Sequence, residues 1–162
     1  MSASIPVVEV IFCGSPSVNF ASSSAYFGIK QKSFIAYLCL VSPSVITDAR
    51  VVYTGIKFEI EENHIRLIAV DGVRLAIRNE NISYEGENLS FVVPAKTLSE
   101  VVKLMNSNED PVTIEVGKRH IIFDVNGYSV ISRLLDGEFL NYKSTIPQSV
   151  STTVEVDTRS LI

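Results

Sequence analysis

Apolar and polar residues alternate along much of two stretches of this chain. In the first, residues 55–70, Phe58 and Ile60 alternate with charged neighbours, and the alternation resumes after a turn at Glu62-Asn63. Successive side chains of a strand point to opposite faces, so a period of two is typical of a half-buried strand. This stretch therefore predicts a β-hairpin with one buried face.

The second stretch, residues 111–137, repeats the alternation around two turn signals, Gly117-Lys118 and Asn126-Gly127. Asn-Gly between alternating apolar residues is a strong hairpin signal, because both residues tolerate the positive φ angles of a tight turn. Three antiparallel strands in a meander are predicted here.

Between these stretches, residues 94–108 change to the period of an α-helix, with Pro94 at or near the first helical position, where its missing N–H costs no hydrogen bond. The predicted buried stripe consists of Leu98, Val101, Val102 and Met105. The stripe predicted to face away from the core consists of Lys96, Ser99, Lys103 and Asn106. From periodicity alone, a solvated helix face is the simpler interpretation of these lysines.

Two segments before residue 50 have weaker patterns. Residues 1–26 include a Ser-rich run at 14–24 that breaks any apolar period and predicts a linker. Residues 32–46 are apolar enough for a buried helix, which Pro43 is expected to end.

The C-terminal residues predict a strand followed by the start of a helix. Residues 152–156 alternate, and Asp157 or Thr158 can cap the helix that follows. Because the sequence stops before that helix is complete, a truncated chain is expected.

Composition narrows the class of protein. The chain has 162 residues, 46% apolar and 20% charged, which is enough for one good-sized core. A net charge of −4 argues against gripping nucleic acid over the whole surface, so phosphate contacts are expected to be local. Cys13 and Cys39 lack the spacing of a zinc site or disulfide framework. No signal peptide, membrane span, metal or cofactor is predicted, and a cytoplasmic protein is expected.

Candidate catalytic residues are sparse. His64 and His120 lie in strand patterns beside turns, where an exposed histidine is the simpler interpretation. Asp71 precedes a glycine after an apolar run, which is typical of a turn, and no glycine-rich phosphate loop occurs. The residues alone predict a β-rich α+β domain with a binding or structural role. A hydrolase using Asp71 and a histidine is a distant alternative.

Three blocks, in order, resemble one protein family. They are AVDGVRLAIRN (69–79), FVVPAKTLSEVVKLM (91–105) and SRLLDGEFLNYKSTIP (132–147). The family usually shows a TDGHRLA-like turn, a VPxK helix start and an SRLIEGxFPNYxxVIP-like run in the same order. The chain thus resembles the bacterial DNA sliding clamp, the beta subunit of the DNA polymerase III holoenzyme.

The resemblance implies a fold and a domain organisation. Subunits of this family have three similar domains, and two subunits form a head-to-tail ring with sheets outside and helices around duplex DNA. Residues 27–149 resemble the middle domain, an α+β DNA clamp domain of antiparallel sheets with two helices. Residues 150–162 resemble the first strand of a truncated third domain, and residues 1–26 remain a linker or a disordered N-terminal segment.

The resemblance also gives the lysine stripe a function. The residues that it implies to be DNA-facing are Lys96 and Lys103, with Arg50 and Lys32 as weaker candidates. A sliding clamp needs few, sequence-independent and salt-sensitive phosphate contacts, which suits an acidic protein with a locally basic channel.

A second implied site is an outer pocket that receives short peptides with apolar anchors from the polymerase, the clamp loader and repair proteins. Its middle-domain half corresponds to Tyr53, Val70, Gly72, Val73, Arg74, Leu75, Leu140 and Thr145. Docking there would desolvate apolar anchors in a groove. Without the resemblance, Val70 and Leu75 are more simply explained as core residues.

Some residues depart from the family pattern. Val70 and Val73 stand where the family commonly has threonine and histidine, and Leu140 stands where it has proline. These changes make the implied pocket more apolar. The first helix of the family domain is basic, whereas residues 33–46 carry no charge. We interpret that segment as a locally corrupted or frameshifted reading, and a genuine helix is the alternative.

Two functions follow from the resemblance. The first is a non-catalytic processivity factor of the bacterial replicative polymerase, part of a homodimeric ring that slides on DNA and raises the effective concentration of the polymerase. The alternative is a truncated or degenerate clamp fragment that acts only as a peptide-binding or structural module.

Overall fold

A computed structural model describes residues 10–13, 25–31, 51–71, 74–106, 110–147, 149 and 151–161. The strands are β1 (Val10–Cys13), β2 (Ala25–Lys30), β3 (Gly55–Glu61), β4 (His64–Val70), β5 (Leu75–Asn81), β6 (Leu89–Pro94), β7 (Pro111–Val116), β8 (His120–Val125) and β9 (Tyr128–Arg133). The helices are α1 (Ala95–Leu104) and α2 (Thr158–Leu161). Short 3-10 helices lie at Val51–Thr54 and Tyr142–Ser144.

The strands form two antiparallel sheets. A four-stranded sheet has the order β5-β4-β3-β6, and a five-stranded sheet has the order β1-β9-β8-β7-β2. The predicted hairpin is confirmed as β3–β4, with Asn63 at a φ of 56° in its turn. The predicted meander is confirmed as β7–β8–β9, where Asn126 and Gly127 have φ angles of 51° and 81°. Positive φ at both central residues is what a type I′ turn requires.

One apolar core is shared by the two sheets and α1. Alternate positions of β3, β4, β7 and β8 supply many of its members, among them Phe58 and Ile114, which have 0% exposure. Phe58 stacks on Phe91 of β6 with ring centroids 5.3 Å apart. Because β3 and β7 bury alternate residues, the alternation in their sequences follows from this shared core.

The two faces of α1 differ as predicted, with one exception. Leu98, Val101 and Met105 are buried, whereas Val102 is only half-buried. Thr97 is buried beside them, and its hydroxyl hydrogen-bonds that of Ser132 on β9 at 2.8 Å. The predicted outward residues are all exposed, namely Lys96, Ser99, Lys103 and Asn106.

Hydrogen bonds of the Gln31 and Asn126 side chains hold the C-terminal end of α1 in place. The Gln31 side chain is fully buried and accepts a 2.8 Å hydrogen bond from the Asn106 backbone N–H. Gln31 also donates to Asn126 Oδ1 at 3.0 Å, and the Asn126 amide donates to the Leu104 carbonyl at 2.8 Å. These bonds satisfy groups that the end of a helix leaves without a partner.

The predicted linker is wrong at two places, because Val10–Cys13 form β1, which pairs antiparallel with β9, and Ala25 and Tyr26 belong to β2. This apolar run pairs with the edge of β9, and the pairing satisfies backbone hydrogen-bonding groups of both strands. The helix expected within residues 32–46 lies outside the described residues, as does the proposed frameshift at 33–46. In the described part of the chain, no helix is long and apolar enough to span a membrane.

The C-terminal prediction holds in part. Asp157 caps α2, accepting a 3.1 Å hydrogen bond from the Ser160 N–H. The strand expected for residues 152–156 does not form, since these residues are exposed and belong to neither sheet. An alternating segment becomes a strand only where a neighbouring edge pairs with its backbone.

Candidate functional site

A surface cavity of about 530 Å³ opens between the 3-10 helix at Val51–Thr54 and the loop that follows β9. Residues 51–53 line one side, and residues 136–141 line the other. Two of the residues that the resemblance assigned to the pocket, Tyr53 and Leu140, therefore share this cavity.

Close packing and one unusual backbone angle hold the loop in place. The Leu135 N–H donates to the Val92 carbonyl of β6 at 2.9 Å. Gly137 has a φ of 139°, a conformation that favours glycine, and lies against Val52. At Gly55, where the 3-10 helix joins β3, a Cβ atom would lie 2.5 Å from the Val93 carbonyl oxygen. The cavity walls are thus set by backbone contacts.

Phe139 links the cavity to the outer face of the four-stranded sheet. Its ring meets Tyr53 edge-on, with centroids 5.6 Å apart and an interplanar angle of 88°. Phe139 also packs, together with Leu75, against a small apolar cluster that contains Val70 and Tyr142. The structure therefore brings four predicted pocket residues into one connected surface, and Phe139, which sequence reasoning missed, connects them. The apolar pair of Phe139 and Leu140 in an otherwise polar loop was the available signal.

The predicted pocket residues differ in exposure. Val70 is buried and Leu75 half-buried, and neither lines the cavity, whereas Leu140, which lines it, is 38% exposed. Arg74 is exposed and forms an ion pair with Asp71. Thr145 is exposed, and its N–H donates to the Tyr142 carbonyl at 3.0 Å. Gly72 and Val73 lie outside the described residues.

A polar network holds the loop on the sheet. Tyr142 donates a 2.6 Å hydrogen bond to Glu59 on β3, and Lys57 pairs with the same carboxylate at 2.8 Å. Arg66 lies 3.5 Å from Glu59, donates to the Tyr142 hydroxyl at 3.3 Å and donates to Asn79 at 2.8 Å. The carboxylate thus has three hydrogen-bonding or charged partners within one cluster, and this side of the loop is fixed.

The network shifts two pKa values in opposite directions. Burial alone would raise the pKa of Glu59, but hydrogen bonds from Lys57 and Tyr142 outweigh it and hold the pKa below the usual 4.5. Burial, and then the bond to Glu59, raises the pKa of Tyr142 above 10.0. The lowered pKa of Glu59 stabilises the fold above pH 4.5, and this is lost as pH falls through the shifted value. The raised pKa of Tyr142 stabilises the fold below pH 10, and this is lost as pH rises through it.

We expect the substitution Tyr142→Phe to raise the pKa of Glu59, because it removes one donor to the carboxylate while keeping the ring. The measurement is the pH titration of the Glu59 side-chain carboxyl carbon by NMR in the native and substituted chains. A midpoint that is the same in both would show that the hydroxyl does not hold this carboxylate.

The predicted DNA-facing lysines lie on the exposed face of α1. Lys96 is exposed in the first turn of the helix, and Lys103 is exposed in the last. Lys103 pairs with Glu100 at 2.7 Å, and such exposed pairs contribute little free energy, so the ammonium group can exchange its partner. Arg50 and Lys32 lie outside the described residues.

Comparison with known proteins agrees with this architecture. The family model described as DNA polymerase III beta subunit, central domain, matches residues 28–141. The chain belongs to this family. The resemblance seen in the three sequence blocks is therefore confirmed, and the α+β clamp fold with it.

Curated relatives are named beta sliding clamp. That of Haemophilus influenzae is 33% identical over 108 residues, which are 67% of this chain and 30% of the relative. That of Vibrio cholerae is 32% identical over 114 residues, or 70% of this chain and 31% of the relative. The chain therefore spans about a third of the length of these clamps.

Solved clamp structures share the fold. A putative DNA polymerase III beta subunit from Eubacterium rectale superposes with a TM-score of 0.75 and 26% identity, covering 83% of this chain and 38% of the other. A sliding clamp from Pseudomonas aeruginosa bound to griselimycin gives 0.75 and 25% identity, covering 85% of this chain and 38% of the other.

Of the residues in the hydrolase alternative, His64 and Asp71 do not meet. His64 and Asp71 lie at opposite ends of β4, which separates them by about 20 Å at the rise of a strand. Asp71 is engaged by Arg74, and His120 begins β8 in the other sheet. Among the residues with described positions, no group of three or more histidine, cysteine, aspartate or glutamate side chains is arranged to hold a metal ion.

Proposed function

We propose that this chain supplies the middle-domain part of a sliding clamp, a processivity factor of the bacterial replicative DNA polymerase. The observation that supports this most is the match to the central domain of the polymerase III beta subunit over residues 28–141. Curated relatives matched over this region are beta sliding clamps. The chain's part in the complex would be non-catalytic and cytoplasmic.

Contact with DNA is proposed for the exposed face of α1. Phosphates attract cations without regard to base sequence, and each contact releases counterions, so the interaction weakens with salt. A few lysines on a helix of an acidic protein hold the duplex loosely, which allows sliding. Lys96 has the central role in this proposal, Lys103 a lesser one, and Arg50 and Lys32 remain sequence-based candidates.

Peptide docking is proposed for the cavity beside Tyr53 and Leu140. The exposed apolar surface of Leu140 and of Val51, which is 59% exposed, offers a groove in which an apolar anchor loses its contact with water. Val70, Leu75, Arg74 and Thr145 would extend this surface, together with Gly72 and Val73. Polymerase, clamp loader and repair proteins are the proposed partners.

We expect Lys96→Glu to reduce binding of a mixed-sequence DNA duplex at low salt. Log affinity decreases with log salt concentration, and this slope should become shallower by about 0.9, the value for one lost phosphate contact. Fluorescence anisotropy with a labelled duplex measures it. The matched control is Lys143→Glu, an exposed lysine in the 3-10 helix after β9 with the same change of charge. An equal loss in both variants would contradict a local contact at α1.

Griselimycin serves as a probe for the cavity, since it is bound by a structurally similar clamp. Calorimetric titration of the full chain with griselimycin should show saturable binding. A chain that binds griselimycin but no duplex would act only as a peptide-binding module. This is the alternative function, since the chain spans about a third of the length of its relatives. A chain that binds neither would contradict both functions.

A further inference from the structure

The most concentrated run of positive charge in the chain is not on α1. Residues 117–120 read Gly-Lys-Arg-His, and they form the turn between β7 and β8. Lys118 and Arg119 are both exposed. In a protein with a net charge of −4, this run of cations makes one part of the surface locally positive.

The backbone of this turn is held at two points. The Gly117 N–H donates to the His120 carbonyl at 2.8 Å, which closes the turn. The Leu134 N–H donates to the Arg119 carbonyl at 2.9 Å, which ties the turn to the residue after β9. The two side chains therefore project from a fixed backbone, and less conformational entropy is lost when they bind a ligand.

The fold does not use these charges internally. Most lysines and arginines with described side chains form ion pairs, namely Lys57, Arg66, Arg74, Arg78, Lys103 and Arg133. Lys118 and Arg119 form none with the described residues. Their neighbour Arg133, directly opposite His120 in the sheet, reaches Asp136 only at 3.8 Å, with both side chains at least half exposed. Such a pair contributes little and can yield to a stronger anion.

The basic turn lies near the N-terminal end of α1. Ser132, next to Arg133, shares a buried 2.8 Å hydrogen bond with Thr97, and Thr97 follows Lys96. The end of the five-stranded sheet that carries the turn is thus joined to the end of the helix that carries Lys96.

We propose that Lys118 and Arg119 form a second phosphate-binding surface, which extends the DNA contact of α1 onto the β7–β8 turn. The proposal rests on the proposed function only in that this chain contacts duplex DNA. An acidic peptide is the less favoured partner, because a peptide site needs an apolar anchor and the turn residues 117–120 include no large apolar side chain. Phosphates need only positive charge at a suitable spacing.

The test compares two double variants of the full chain with the same change of net charge. Lys118→Glu with Arg119→Glu removes the turn cations, and Lys143→Glu with Arg159→Glu removes two other exposed cations. Anisotropy of a labelled mixed-sequence duplex is measured across a salt series for both, and for Lys96→Glu. In the turn variant, the negative slope of log affinity against log salt concentration should become shallower by about 1.8, twice the value for one contact. The control should change it little.

The outcomes separate the two proposals. Weakened binding in Lys96→Glu with native binding in the turn variant would overturn the second surface and leave the α1 contact standing. Equal losses in the turn variant and its control would also overturn it, since net charge would then explain the effect. If the turn variant kept its DNA affinity but lost binding to polyglutamate, the surface would belong to an acidic protein partner. Amide spectra of each variant confirm that the fold is retained.

Discussion

Replacing Leu140 with lysine should weaken griselimycin binding by about 30-fold, the loss expected when a residue worth about 2 kcal/mol is removed from a binding site. Leu140 lines the cavity and is 38% exposed, so its side chain is available to a ligand and contributes little to the core. A lysine there replaces apolar surface with a charge that an apolar anchor would have to desolvate. Calorimetry on the full chain gives the affinity.

Ile146 provides a matched control for this substitution. It is 40% exposed, lies six residues further along the same segment and does not line the cavity. Ile146→Lys makes the same kind of change at nearly the same exposure, and we expect it to leave griselimycin affinity native. If both variants bind as tightly as the native chain, the cavity beside Tyr53 is not the docking site.

Adding a single methyl group at Gly55 should destabilise the chain by about 1–3 kcal/mol, the usual cost of overpacking. In Gly55→Ala the Cβ atom would lie 2.5 Å from the Val93 carbonyl oxygen and under 3 Å from side-chain atoms of Val92 and Leu135. The carbonyl is backbone within the β3–β6 ladder and cannot rotate away. Relief therefore requires a shift of β3 or of the loop after β9, and griselimycin binding should fall as well. Urea unfolding measures the stability.

Gly28→Ala is the control, because Gly28 is also a strand glycine. Its added Cβ would lie 3.7 Å from the nearest atom, an ordinary contact. Replacing a glycine whose backbone angles suit alanine usually stabilises by about 0.4–1 kcal/mol, since the unfolded chain loses freedom. Equal stabilities for the two variants would show that the close approach at Gly55 relaxes without cost.

The hairpin and the meander were predictable because one buried face imposes a period of two on the sequence. The edge strand β1 was not, because its assignment depends on β9, which lies more than a hundred residues later in the chain. Residues 152–156 show the reverse case, in which the pattern of a strand is present and no edge pairs with it. The local sequence pattern predicts which face of a strand each side chain would occupy. Pairing with a neighbouring strand in the tertiary structure determines whether the strand forms.

The candidate site was predictable only through the resemblance. Periodicity placed Lys96 on an outward stripe without giving it a role, and burial preference placed Val70 in the core, where the structure has it. The contacts that shape the cavity join residues far apart in sequence. Tyr142 and Glu59, for example, are 83 residues apart, and no local pattern predicts that they share a hydrogen bond. The close approach at Gly55 is likewise visible only once β6 lies beside β3.

The bonds between Gln31, Asn126 and the last turn of α1 also affect how the helix moves. Because the side chains of Gln31 and Asn126 hydrogen-bond the same helix end, α1 cannot unwind from its C-terminus without breaking these bonds. Its outward cations are therefore carried on a helix whose end is fixed. If α1 contacts DNA as proposed, we expect each successive phosphate to meet the same helix surface and the energy profile along the duplex to stay shallow.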